Sequence, residues 1–185
     1  MKPGSLDLVK IDLDSFDCDV LFSMLSLEPL ASKPPKLLYI DMNPHIPPPF
    51  LYRTISVAQS RIVPFQGSSL QCFLEAAPKH RLLHVELFNA LLVHESYQEL
   101  FSEAAQSPFE LWASGYFCHP LARVLWHRER DIRYLGGDPR FWADESRSVA
   151  ERGENILRTL SQAREDFPHL EFSLTWREKS TQKSG

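Results

Sequence analysis

Carboxylates cluster where an apolar run near the start of the chain ends. The run covers residues 6–13, and Asp12, Asp14 and Asp17 lie at its end or just beyond it. Acidic side chains at the carboxyl end of a buried strand are typical of α/β sites, because ligands bind in the crevice outside those ends. Asp12 and Asp14 could bind a metal ion, orient a substrate hydroxyl or act as a general base. The competing interpretation makes Asp14 a helix cap, Asp17 a partner of the helix dipole and Asp12 an acceptor for loop amides.

A second polar group follows the next apolar run, at residues 36–42. Asp41 lies within the end of that run, and Asn43 and His45 come after it in a proline-rich segment. Pro44 restricts the backbone just outside the predicted strand, which makes Asn43 a candidate for substrate contact. His45 either faces the cleft or is a solvated loop histidine. We therefore predict Asp12 and Asp14 as catalytic candidates, and Asp17, Asp41, Asn43 and His45 as substrate-binding candidates.

Alternating strands and helices position these groups. Residues 6–13 and 36–42 are apolar enough for strands covered on both faces, and residues 16–27 have an apolar stripe typical of a helix. A strand, a helix and a strand in this order predict a βαβ unit with parallel strands. Lys10, inside the first strand, is predicted to be buried and paired with one of the acids. Downstream we predict helices over 70–77, 96–101 and 144–164, a hairpin over 81–87 and 90–93, and a strand over 170–176.

The overall composition narrows the class of protein. The chain has 185 residues, of which 43% are hydrophobic, and a net charge of −4, which suit a folded domain and disfavour a nucleic-acid partner. There is no signal peptide and no run of 18 uncharged apolar residues, so we predict no membrane span and a cytoplasmic location. Three widely spaced cysteines predict reduced thiols. The seven glycines show no spacing typical of a phosphate or dinucleotide loop.

Four blocks of the sequence resemble the FkbM-type methyltransferases. They are residues 8–17 (LVKIDLDSFD), 39–49 (YIDMNPHIPPP), 67–70 (GSSL) and 82–94 (LLHVELFNALLVH). The family belongs to the class I S-adenosylmethionine-dependent enzymes, whose seven-stranded sheet has the order 3-2-1-4-5-7-6. The blocks match from the fourth strand onward, over about residues 6–101. The resemblance implies an α/β fold with a partial Rossmann-like sheet, equivalent to strands 4-5-7-6, over residues 1–105, and an extension of unknown role over 106–185.

The resemblance also implies an activity, methyl transfer from S-adenosylmethionine to a hydroxyl of a small molecule or glycan, with Asp12 and Asp14 orienting the attacking oxygen. The family's cofactor-binding loop and acid would lie upstream of Met1. We therefore expect the chain as given to be inactive and to bind the cofactor weakly, unless a longer natural form or a second chain supplies the missing half. Without its neighbouring strands, the strand at residues 6–13 would be an exposed apolar edge. That edge predicts self-association unless the C-terminal segment covers it.

Two alternatives belong to other functional classes. The chain could be a non-catalytic interaction remnant or a gene fragment. Residues 11–16 (IDLDSF) also resemble the Asp-x-Asp opening of haloacid-dehalogenase-type phosphatases and of nucleotide-sugar transferases. That reading would give Asp12 and Asp14 a divalent metal as partner. The serine or threonine, lysine and acidic pair that the phosphatases use further along do not occur at convincing places downstream.

Overall fold

The computed structural model describes residues 6–13, 15–56, 65–101, 106–121, 133 and 136–177. The strands are Leu8–Ile11 (β1), Leu37–Asp41 (β2), Leu51–Ser56 (β3), His80–Glu86 (β4), Asn89–His94 (β5) and Glu171–Thr175 (β6). The α-helices are Asp17–Ser26 (α1), Leu70–Ala76 (α2), Pro108–Trp112 (α3), Pro139–Ala143 (α4) and Val149–Asp166 (α5). A 3-10 helix follows β5 at Glu95–Leu100, and a π-helical turn continues α3 over Ala113–Phe117.

Four strands form a mixed sheet in the order β1-β2-β5-β4. β1 pairs in parallel with β2, which confirms the predicted βαβ unit, and Ile11 lies opposite Ile40. β5 is antiparallel to both of its neighbours. The predicted hairpin turns at Leu87, whose φ of 55° is uncommon for a leucine and whose N–H donates to the Gly115 carbonyl at 2.9 Å. The fold is therefore α/β, with a mixed four-stranded sheet flanked by helices.

The first core lies between this sheet and helices α1, α2 and α3. A disulfide joins Cys18 of α1 to Cys72 of α2, with the two Cα atoms 6.3 Å apart, and Cys118 is a free, exposed thiol. The prediction of three reduced thiols was therefore wrong for Cys18 and Cys72. The two helices pack against each other, so residues far apart in sequence come within bonding distance, which cysteine spacing alone does not reveal.

The second core lies between a two-stranded antiparallel sheet, β3 and β6, and helix α5. β3 was not predicted, whereas β6 and α5 fall within or close to their predicted ranges. Tyr52 and Thr54 of β3 are buried while Arg53 and Ile55 are exposed, the alternation expected of a strand with one covered face. The fully buried aromatic residues of this core are Phe50, Tyr52, Phe65 and Trp142.

Residues on both sides of position 105 build both cores. Leu111 and Trp112 are buried in the first core, and Trp142 packs in the second against residues that precede position 66. Packing thus crosses the predicted division into residues 1–105 and 106–185, and that division stays a prediction.

The outer edge of the first sheet is open. Leu8 and Leu13 are 53% and 54% exposed, whereas Ile11, which faces the core, is buried. In the part of the chain that the structure describes, no strand pairs with the outer edge of β1, because β6 pairs with β3 instead. Within the same residues, no helix has both the length and the apolar character needed to cross a membrane.

Candidate functional site

The carboxyl ends of β1 and β2 bring two predicted acids close together. Ile11 lies opposite Ile40 in the register, so Asp12 and Asp41 occupy the next position on their respective strands. Lys10 donates to the Asp12 carboxylate at 2.6 Å, and this hydrogen bond, followed by the charge of Asp12, raises the pKa of Lys10. Asp41 acts on Lys10 in the same direction. The Asp12 side chain is 45% exposed, so its carboxylate is accessible, and an exposed ion pair of this kind contributes little stability.

Lys10 itself corrects one prediction and confirms another. Its side chain is 54% exposed, not buried, because Lys10 lies on the face of β1 opposite to the core-facing Ile11. Its pairing with one of the nearby acids is confirmed. Asp14, the second catalytic candidate, lies outside the described residues.

Asp17 is a structural acceptor for the loop that follows β1. Its two carboxylate oxygens accept from the backbone N–H groups of Leu13 at 2.7 Å and Ser15 at 3.0 Å. Burial raises the pKa of the Asp17 carboxyl, although these amide donors oppose the shift. Both oxygens are therefore engaged in fixing the entry to α1, so Asp17 has the role of loop-amide acceptor that the competing interpretation gave to Asp12.

Asn43 holds together the segment that leaves β2. Its side-chain N–H₂ donates to the Gln66 carbonyl at 2.8 Å, and its side-chain oxygen accepts from the His45 N–H at 3.0 Å. The backbone N–H of Asn43 donates to the Ser68 carbonyl, across a turn at Gly67, where a φ of 92° requires a glycine. Because Asn43 is buried, these bonds give it a positioning role and keep the segment close to α2.

His45 is buried, so the solvated-loop interpretation of this residue is wrong. The Tyr116 hydroxyl lies 2.8 Å from its Nδ1, with the two rings in a T-shaped arrangement. An imidazole and a phenol at hydrogen-bond distance can hold or pass a proton. The segment between Asn43 and His45 is fixed from the same side by Trp112, whose ring N–H donates to the Pro44 carbonyl at 2.8 Å.

Tyr116 and Trp112 were not among the predicted site residues. Both belong to the aromatic-rich stretch after residue 105, and Gly115 lies between them. A Cβ at Gly115 would lie 2.0 Å from the Val85 carbonyl oxygen, so only a glycine allows this segment to approach β4 so closely. A glycine among aromatic residues was the signal in the sequence.

We call Asp12, Asp41, Asn43, His45 and Tyr116 the strand-end site. They fall into two groups: the carboxylates of Asp12 and Asp41 beside Lys10, and Asn43 with the buried His45 and its partner Tyr116. Within the described residues, no three His, Cys, Asp or Glu side chains form a group that could hold a metal ion. The interpretation that pairs Asp12 with Asp14 and a metal includes a residue outside the described part of the chain, and it stays a prediction.

No family model, no curated protein and no solved structure matches the chain. The strand topology and the strand-end site are therefore the features that bear on function.

Proposed function

We propose that the chain is the C-terminal half of a class I methyltransferase-type fold and takes part in S-adenosylmethionine-dependent O-methyl transfer when a cofactor-binding half is supplied. The sheet carries this proposal: its order β1-β2-β5-β4, with β5 antiparallel to both neighbours, corresponds to strands 4-5-7-6 of that fold. β1 is parallel to β2, as strand 4 is to strand 5. A reversed strand inserted next to the sheet's last strand is a more specific feature than an α/β fold alone.

The open edge of β1 is where the remaining strands of such a sheet would pair. In the class I order, strand 1 lies next to strand 4, which is β1 in this assignment. Leu8 of this strand and Leu13 just after it are more than half exposed. In the interior of a sheet with helices on both faces, such apolar side chains would be buried. The described residues contain no glycine-rich strand-to-helix turn, so they do not by themselves fit the cofactor.

The residues of this chain have positioning roles in the proposal. Asp12 is an accessible carboxylate at the end of β1, and it would orient the substrate hydroxyl and accept its proton. Asn43 and the pair of His45 and Tyr116 hold the segment after β2 in place. The substrate class is a small-molecule or glycan hydroxyl, which an acceptor carboxylate and a rigid neighbouring segment can bind.

Titration calorimetry of the chain with S-adenosylmethionine tests the half-fold. We expect no saturable binding up to millimolar cofactor, because the described residues include no glycine-rich strand-to-helix turn whose backbone amides could hold such a ligand. A micromolar dissociation constant for the chain alone would contradict the proposal. If a longer natural form supplies the missing half, its additional segment should contain a glycine-rich strand, turn and helix, and a longer form without this unit would contradict the proposal.

The longer form then tests Asp12. Asp12→Asn should lower the rate of methyl transfer by about 100-fold, the usual scale for a general base, and leave cofactor affinity unchanged. The matched control is Asp7→Asn, because Asp7 is an exposed acid that pairs with Lys36 near the opposite end of β1. Equal rate losses in the two variants would exclude a specific role for Asp12.

The open edge also favours a second candidate, a non-catalytic module that binds a partner, or a second copy of itself, by strand addition to β1. The two candidates differ in what Asp12 does. A binding module tolerates Asp12→Asn in every assay, whereas the transferase does not.

A further inference from the structure

A cavity of about 620 Å³ is lined by residues that pack against both cores, among them Phe109 of the first and Val149 of the second. The loop after β2, the start of α3 and the start of α5 form its walls. Pro48, Pro108, Phe109 and Val149 supply apolar surface, and arginines supply most of the charge. This volume is in the range of sites for small organic ligands.

The unusual member of the cavity wall is Arg152. Arg152 is only 3% exposed. Its Nη1 donates a hydrogen bond to the Trp142 carbonyl at 3.1 Å, and its Nε is buried without a hydrogen-bond partner. Its guanidinium lies 5.5 Å from the centre of the Phe50 ring. No carboxylate in the described part of the chain forms an ion pair with it. A buried cation is costly unless an anion or further acceptors compensate it.

Two other arginines line the same cavity, and both have acidic partners. Arg147 pairs with Asp144 at 3.1 Å, and the largely exposed Arg177 lies 3.9 Å from Glu75. Glu145 is the carboxylate in the wall, and it and Asp144 act on Arg152 only through longer-range charge. Among the three arginines of the cavity, the buried Arg152 is therefore the one without a carboxylate of the described residues in contact.

The start of α5 adds a favourable field. This helix has 18 residues and begins immediately after Ser148, which also lines the cavity. Ser148 accepts from the Glu151 N–H, so the cap satisfies one of the first amide donors. The positive end of a helix of this length stabilises a negative group placed near it.

We propose that this cavity binds a small organic oxoanion, a phosphate or carboxylate group on an apolar body. The anionic group would accept hydrogen bonds from the Arg152 guanidinium near the start of α5. The apolar body would lie against Pro108 and Phe109. The guanidinium of an arginine is a planar set of hydrogen-bond donors that matches both phosphate and carboxylate, so the same site can bind either group. The proposal is independent of methyl transfer, because it uses none of the residues of the strand-end site.

Titration of the full chain with phenyl phosphate tests the proposal, with calorimetry and the thermal midpoint as readouts. We expect saturable binding with a sub-millimolar dissociation constant and a midpoint that rises with ligand concentration. Inorganic phosphate should bind about tenfold more weakly, because it lacks the apolar body. Benzyl alcohol should not bind, and benzoate should bind within about tenfold of phenyl phosphate, because its carboxylate uses the same donors.

Arginine variants locate the site. Arg152→Met should weaken binding of phenyl phosphate by at least about tenfold, and Arg152→Lys should recover only part of the loss. Because Arg152 also bonds to Trp142, Arg177→Gln provides a second variant whose side chain is 90% exposed, with an expected two- to fivefold weakening, about what one exposed charge contributes. The matched control is Arg158→Gln, an exposed arginine of the same helix that does not line the cavity.

Three results would overturn the proposal. They are no saturable binding of phenyl phosphate up to about 10 mM, equal binding of benzyl alcohol, and equal weakening by Arg158→Gln and Arg177→Gln.

Discussion

The two cores of this protein differ in how completely they are closed. The second core buries Phe50, Tyr52 and Trp142 completely beneath α5, and the large apolar side chains left exposed around it, such as Ile55 and Leu157, are scattered. The first core has more exposed apolar side chains around it. They lie on or beside β1 and α1: Leu6, Leu8, Leu13, Phe16, Val20, Phe22 and Leu27. Because exposed apolar side chains concentrated around one strand and one helix favour a contact surface, we expect the first core to accept a further strand or helix.

The largest expected effect breaks the closed core. Trp142→Ala should lower the free energy of unfolding by about 3–5 kcal/mol, because it removes a fully buried ring and leaves its partner Asn155 without the indole N–H. Urea unfolding followed by tryptophan fluorescence and circular dichroism measures it. A loss below about 1 kcal/mol would mean that the second core is loosely packed.

The second effect removes the covalent link of the open core. Replacing Cys18 and Cys72 together by alanine should cost about 3–4 kcal/mol, since the disulfide closes a loop with a sequence separation of 54 residues. Cys118→Ala is the control, because this thiol is exposed and free. Equal stability of the double variant and the control would show that packing alone holds α1 to α2.

The third effect is a pH dependence of stability that we expect from the first core and not from the second. His80 of the first core is buried, with its Nε2 2.9 Å from the Pro35 carbonyl and its ring against that of His94. Burial lowers the pKa of His80 below its usual 6.5, and the Pro35 carbonyl opposes the shift. The unfolded chain then binds the proton more readily, so stability should fall as the pH drops through 6.5 towards the lowered value.

His80→Gln should flatten this dependence in unfolding experiments run from pH 8 to about pH 5. His169→Gln is the control, because His169 is exposed in the loop before β6. The Trp142→Ala loss should be the same at both ends of this pH range. A slope that survives His80→Gln unchanged would assign the pH dependence to other groups.

The smallest effect on stability is expected from a substitution at the open edge of β1, where the measured quantity is self-association of the chain. Leu8→Lys should change the free energy of unfolding by less than about 0.5 kcal/mol, because Leu8 is 53% exposed. Light scattering should show that the unmodified chain self-associates with concentration and that Leu8→Lys reduces this, since an edge lysine blocks strand pairing. Leu157→Lys in α5 is the matched control and should leave association unchanged. A monomeric unmodified chain at high concentration would contradict the open edge.

Local patterns were sufficient to predict the first sheet. Continuous apolar runs and the stripe between them indicated β1, α1 and β2, and two β-rich runs separated by Phe88 and Asn89 indicated the hairpin. β3 was missed because the prolines before Phe50 favour an extended connection and because its partner strand comes more than a hundred residues later. The disulfide was missed for a related reason: which helices lie side by side is a tertiary property.

The candidate site was only partly readable from sequence. Pro44 directed attention to Asn43, whose contact with a substrate stays a prediction. The contact of His45 with Tyr116 could not be predicted, because the fold brings Tyr116 from 71 residues away. The burial of Arg152 has a local signal in the sequence. It lies three residues after Val149 and four before Ile156, so a charged residue interrupts the apolar stripe of α5.

The pairing of β3 with β6 has a consequence for the order in which the protein folds during synthesis. Arg53 of β3 hydrogen-bonds to Ser173 of β6, 120 residues later in the chain. Until the ribosome has released β6, the nascent chain holds Phe50 and Tyr52 without the strand and helix that bury them, while the first sheet can already form from residues made earlier. Long-range strand pairing is slow and leaves apolar segments exposed meanwhile. The second core is therefore completed after the first sheet, and we expect chaperones of emerging chains to bind its apolar segments in the interval.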